Sequence, residues 1–118
     1  MVEKISMTFT LRKPESEAKY QEEKRNITSC PFCEKKHIHQ WEHWKLMPNQ
    51  YPYDLVAEKH DLLVLNSHNS VPSEEEKKQL DSIKKMKFMN DYHCIIENLP
   101  QRQSIPGHFH VHLMRYIP

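Results

Sequence analysis

Glycine is almost missing from this chain. Of 118 residues only Gly107 is glycine, where average usage of about 7% would give roughly eight. A phosphate-cradling P-loop and a dinucleotide fingerprint both need several glycines so that backbone can approach phosphate, and both are excluded. Also missing is any apolar run near the ~20 residues that a membrane span requires. The N-terminus lacks the apolar core of a signal peptide, so no membrane association and a cytoplasmic, reducing setting are expected. Charge of one sign is lacking too: 17 Lys and Arg against 16 Asp and Glu leave +1, which gives no broad field for a nucleic acid duplex or an anionic membrane. Apolar residues make up only 37%, with 28% charged and a mean hydropathy of −0.85. Residues 1–118 therefore read as a single domain with a thin core, helped by a metal or a partner. What the chain has in excess is histidine, nine of them. Any phosphate or metal chemistry must be done by side chains, and imidazole is the available supply.

Along the chain, Ile5, Met7, Phe9 and Leu11 alternate with Ser6, Thr8 and Thr10, the period of a half-buried strand. Pro14 to Arg25 is helix-prone but nearly all polar, which predicts a solvated helix or tether outside the core. Cys30-Pro-Phe-Cys33 reads as a tight turn, Ile38 to Met47 as a strand ended by Pro48-Asn-Gln-Tyr-Pro52, and His60 to Asn66 as a buried strand. Ser73 followed by Glu74, Glu75 and Glu76 forms a capping box, and Leu80, Ile83 and Met86 supply an apolar stripe at helical spacing, with Phe88 and Met89 near its end. Tyr92 to Glu97 and His108 to Ile117 complete the set. Five strands around one principal helix, with hairpin-like connections early, predict an α+β domain built on an antiparallel sheet.

Two constellations carry chemistry. In His108-Phe-His110-Val-His112-Leu113-Met114 strand alternation places His108, His110 and His112 on one face and Phe109, Val111 and Leu113 on the other. Gly107 directly precedes this row, where it would relieve a tight entry into the strand. Cys30 and Cys33 stand at metal-knuckle spacing, and a tetrahedral zinc site needs two more ligands. A redox CxxC normally opens a helix after a strand, whereas this one follows a polar segment and leads into Lys-Lys-His. The residues alone permit a local finger with His37 or His39, or a long-range site with His68 and one histidine of the row. Cys94 reads as a small buried hydrophobe, and His43, His60 and His93 as surface or strand-interior histidines.

Histidine, apolar, histidine, apolar, histidine, apolar, apolar at 108–114 resembles the signature of the histidine triad (HIT) superfamily of nucleotide hydrolases and transferases. Cys30-Pro-Phe-Cys33 and Asn49-Gln-Tyr-Pro52 look like segments of its galactose-1-phosphate uridylyltransferase branch, and the order of elements agrees over about residues 28–114. The resemblance implies a HIT-like fold and a structural zinc on Cys30, Cys33, His68 and His108. It implies that His110 is the nucleophile attacking a nucleotide α-phosphate to form a covalent nucleotidyl-imidazole, and that His112 hydrogen-bonds phosphate oxygens. Ser104 is carried over as the group helping departure of the leaving group, with Asn49, Asn98 and Gln103 on the substrate. Ser104 stands four residues before His108, where family members place Ser or Thr three before, and Leu99-Pro-Gln-Arg-Gln103 replaces their glycine-rich approach. His112 stands where the transferase branch has Gln, which favours hydrolysis over transfer. The implied ligand is a nucleotide or nucleotide sugar, and a homodimer suits both the resemblance and a thin polar core.

Physical chemistry supports the role given to His110 independently, because a neutral imidazole is nucleophilic near pH 7 when its other nitrogen donates to a fixed acceptor. A non-catalytic, zinc-stabilised nucleotide-binding module of the same fold is the alternative. A cupin-like iron site and an HxHxDH hydrolase both need carboxylates near the histidine pair, and none lies between His108 and Pro118.

Overall fold

A computed structural model describes residues 10–25, 29–34, 37–99, 105 and 107–118. In chain order the elements are α1 (Pro14–Lys24), α2 (Pro31–Glu34), β1 (His39–Gln40), β2 (Trp44–Pro48), β3 (Ala57–Leu65), α3 (Glu74–Lys84), a 3-10 turn (Lys87–Asp91), β4 (Cys94–Ile96) and β5 (His110–Tyr116). The strands form one antiparallel sheet in the order β1-β2-β3-β5-β4, so the molecule is α+β. No helix among the described residues is long and apolar enough to cross a membrane.

Among the described residues the strand count of five equals that of the sequence reading, but the strands are not the same five. Most of the expected strand Ile5–Leu11 lies outside the described residues, and Thr10 and Leu11 are not in a strand. The expected single strand 38–47 is instead a hairpin, β1 and β2, folded at Trp41–His43, where the Trp41 N–H donates to the Trp44 carbonyl at 2.7 Å. The irregular alternation of Ile38 to Met47 is the trace of that fold-back.

Residues paired across an antiparallel ladder point to the same side. Pairing of Leu63 with Val111, Leu46 with Leu63 and Trp44 with Leu65 therefore sets one apolar face. Helix α3 covers it through Ile83, with Leu80, Phe88 and Met89 packed alongside. Helix α3 starts where it does because Ser73 accepts from the Glu76 N–H while the Glu76 side chain accepts from the Ser73 N–H, a reciprocal capping box. Hydrogen bonding to the Ser73 backbone, ahead of the other causes, holds the Glu76 carboxyl below its ordinary range. Met86 of the expected stripe falls beyond α3 and is exposed.

The opposite face carries Lys45, Met47, His60, Leu62, Val64, His110, His112 and Met114. It is covered by α2 through Phe32 and approached by Arg12 and α1. Helix α1 is thus more than the solvated tether its composition suggests: Tyr20 is buried, with its ring edge-on to Tyr51 at 5.2 Å.

Candidate functional site: a Cys2His2 cluster beside a buried imidazole row

Cys30, Cys33, His68 and His108 come together, their donor atoms all within 4.8 Å of one another. The Cys33 N–H donates to the Cys30 carbonyl at 3.2 Å, closing the one-turn helix that aims both thiols the same way. Cys30 Sγ lies 3.3 Å from His108 Nδ1, and Cys33 Sγ lies 3.2 Å from His68 Nδ1 and 3.6 Å from His108 Nδ1. His108 is fully buried and its Nε2–H donates to the Leu65 carbonyl at 2.6 Å, so its Nδ1 presents a lone pair to the sulfurs. A tetrahedron with metal–ligand bonds of 2.0–2.3 Å has edges of roughly 3.3–3.8 Å. The observed spacings sit close to that range, and the donor set of two thiols and two imidazoles could hold a metal ion. His37 and His39 are exposed and outside this cluster, so among the described residues the local-finger arrangement is not the one formed.

Gly107 belongs to the same corner. Its φ is not positive, so the backbone conformation does not call for glycine. A Cβ there would stand 3.3 Å from His68 Nε2, so the tight point is the approach of His68 to the chain before β5.

Next along the strand, His110 and His112 are 2% and 3% exposed. His110 Nδ1–H donates to the His108 carbonyl at 2.9 Å. That bond fixes the neutral tautomer, leaving an Nε2 lone pair with no hydrogen-bond partner among the described residues. Burial holds the imidazolium form unfavourable and keeps His110 below its ordinary pKa.

The tautomer of His112 is set by a residue the sequence reading passed over. The Tyr53 N–H donates to His60 Nδ1 at 2.9 Å, so neutral His60 carries its proton on Nε2. His60 Nε2 then donates to His112 Nδ1 at 2.8 Å, which leaves His112 protonated on Nε2, an N–H that the Asn98 side chain 3.3 Å away can accept only through its amide oxygen. Burial drives both rings down, His60 to about 4 and His112 to about 3, with the positive charge of Arg12 contributing to each. A lone pair on His110 and an N–H on His112 thus lie on adjacent rings whose centres are 5.3 Å apart.

Both rings line a cavity of about 260 Å³, together with Asn49, Gln50 and Tyr51. Asn49 Oδ1 accepts from the Tyr51 N–H, and its amide nitrogen lies 3.1 Å from His60 Nε2. The same end of the Asn98 side chain lies 3.0 Å from the Tyr53 hydroxyl. Ser104 and Gln103 lie outside the described residues.

His60, read as a surface or strand-interior histidine, is a buried member of the site. Arg12 and Tyr53 were not singled out at all, yet Arg12 lines the cavity and the Tyr53 ring stacks on His112 at 5.1 Å. The available sequence signal was His60 opening an apolar strand. Of the remaining histidines, His93 accepts from the Tyr116 N–H, and His43 lies 3.9 Å from Glu42 at the hairpin. Cys94 is half-buried against Tyr53, Ala57 and Met114.

Comparison of the sequence with protein-family models finds no match, and comparison with curated proteins finds none either.

Proposed function

We propose that this chain is a zinc-stabilised nucleotide hydrolase or transferase of the histidine triad type, acting at a nucleotide α-phosphate through a covalent intermediate on His110. The observation that carries the reading is the pairing of tautomers in the cavity. His110 Nε2 is an unblocked lone pair held by the His108 carbonyl, and the neighbouring His112 Nε2 is an N–H donor held by His60. A nucleophile and a donor for a phosphate oxygen are what displacement at phosphorus requires from the protein. In the first step the His110 lone pair forms a P–N bond as the bond to the leaving group breaks, and the leaving group keeps that electron pair. Water or the hydroxyl of another acceptor then forms a P–O bond while the P–N pair returns to Nε2, and the acceptor's proton passes to solvent or to the departed leaving group. Throughout, His112 Nε2–H would donate to a non-bridging oxygen.

Zinc suits Cys30, Cys33, His68 and His108 because four protein ligands of this type make a closed, structural site rather than an open catalytic one. Such an ion would supply rigidity: His108 lies two residues before His110, the first residue of β5, and the His110 ring donates to the His108 carbonyl, so holding the first positions the second.

The test is turnover of a nucleotide panel comprising a nucleoside phosphoramidate, a dinucleoside polyphosphate and a nucleotide sugar. Wild type is expected to turn over at least one, and His110→Ala to lose that turnover while retaining one zinc per chain. Wild-type inactivity across the panel, with nucleotide-induced thermal stabilisation unchanged by His110→Ala, would replace this reading with a binding module.

A further inference from the structure

The cavity served by His110 and His112 is uneven in charge. The chain is nearly balanced at 17 basic against 16 acidic residues, yet among the described residues the cavity wall includes Arg12 and Lys24 and no carboxylate. The floor beneath is apolar, with Phe32, Met47, Leu62 and Ile105.

Arg12 is held in place from several sides. Its Nε donates to the Tyr51 carbonyl at 2.8 Å and its Nη1 to Glu17 Oε1 at 3.0 Å. The guanidinium lies 4.0 Å from the Tyr20 ring centre and 4.9 Å from that of Tyr53. Tyr53 in turn stacks on His112, so a rigid planar cation sits one ring away from the imidazole row. Arg12 is 7% exposed, and its other N–H groups have no acceptor among the described residues. Burying a guanidinium this deeply is costly unless its donors are used, and free guanidinium N–H groups match the paired oxygens of phosphate. Glu17 offsets part of the charge but does not line the cavity. Lys24 stands on the same wall, its Nζ 5.5 Å from the Tyr20 ring centre, with no ion pair among the described residues.

We propose that Arg12 and Lys24 form an anion subsite that binds a second, non-reacting phosphate of the ligand, so that a molecule with consecutive phosphates is selected over one with a single phosphate. The inference rests on the reading of His110 as the residue facing the reacting phosphate. It adds a specificity determinant supplied by α1 and the residues before it, which the sheet does not need to hold the imidazole row.

The experiment is calorimetric titration of the zinc-loaded chain with AMP and with α,β-methylene-ADP, which cannot be cleaved between its phosphates. The diphosphate analogue is expected to bind at least about tenfold tighter, an advantage of about 1.4 kcal/mol, shrinking as salt is raised. Lys24→Gln changes an exposed side chain and is expected to cut the preference about threefold; Arg12→Lys keeps the charge, loses the planar donors, and should bring the two affinities within twofold. AMP is titrated into each variant as its reference, so the readout is the ratio of the two affinities and not either affinity alone. Equal wild-type affinities, or a preference that survives both substitutions, overturns the subsite while leaving turnover at His110 standing. If neither nucleotide binds, inorganic pyrophosphate decides: saturable binding weakened by both variants supports the anion subsite and sinks only the nucleotide reading, and no binding sinks the subsite as well.

Discussion

The two faces of the sheet are equally buried and chemically opposite. Toward α3, Trp44, Leu46, Leu63, Leu65, Val111 and Leu113 pack against Ile83, and the few polar groups there are paired: the indole N–H of Trp44 donates to the Glu76 carbonyl, and the Tyr92 hydroxyl donates to the buried Asp61 carboxylate. Toward α1 and α2, His60, Lys45, His110 and His112 are as inaccessible as the leucines behind them. That face stays folded because most of its polar atoms are matched, the cavity-facing His110 Nε2 being the exception among the described residues. Lys45 donates to the Phe32 carbonyl, His60 bridges Tyr53 and His112, and His108 and His110 each donate to a carbonyl. The contrast teaches that burial alone does not distinguish a core from a site. An apolar face tolerates exchange of similar volumes, whereas a face of matched donors and acceptors leaves the partner stranded when one member is removed.

Removing metal should strike the imidazole face hardest. A metal present at a thousandfold above its Kd stabilises the fold by about 4 kcal/mol. Dialysis against a strong chelator, or Cys30→Ser, is therefore expected to lower the thermal midpoint steeply and to raise amide exchange around His108 and His110 before that around Ile83. Metal loading without any change in midpoint would show that the Cys2His2 cluster is not a structural site.

Ile83→Ala attacks the other face. Truncating a fully buried isoleucine costs about 2–5 kcal/mol, and Ile83 is 0% exposed. Stability in urea should fall by that amount, while zinc content and any turnover per folded molecule stay at wild-type values. A loss of activity larger than the loss of folded protein would mean the two faces are coupled through the sheet.

Acid separates the faces by a different route. His60 and His112 are held neutral, with pKa values of about 4 and about 3 in the folded state against about 6.5 when unfolded. The unfolded chain therefore binds more protons between these values. The stabilisation is complete above pH 6.5 and is lost as the pH falls toward 4 and below. The comparison is with His60→Gln, which keeps every residue of the Cys2His2 cluster. Urea titrations from pH 7.5 to 4.5 should show a shallower fall for that variant; identical slopes would remove His60 from the account.

How much of this was legible depended on distance along the chain. The alternation at 108–114 and the Ser73–Glu76 box are local patterns, and both are present as strand and cap. The principal helix and the antiparallel sheet followed from the same local periodicities. His60 was not legible as a site residue because its role needs the β3–β5 register, a relation across 52 residues. Arg12 reaches the cavity through Tyr51, 39 residues away, and polar α1 hid its one buried ring among charged neighbours. The hairpin at Trp41–His43 was missed because two short strands in succession alternate much as one longer strand does.

Gly107 gives the smallest and most local break. An added Cβ would meet His68 Nε2 at 3.3 Å, tighter than ordinary contact but short of a clash with backbone. His68 is exposed, so its ring can shift by a few tenths of an ångström, and the fold should lose only about 1 kcal/mol or less. The cluster has less room, since Cys33 Sγ already lies 3.2 Å from His68 Nδ1 on the opposite side of that ring. Gly107→Ala is therefore expected to weaken zinc binding several-fold, read by competition with a chelating dye, while the urea midpoint of the zinc-saturated protein barely moves. Unchanged zinc affinity would show that the one glycine in the chain is not kept for His68, and that the two faces share a corner less constrained than its distances imply.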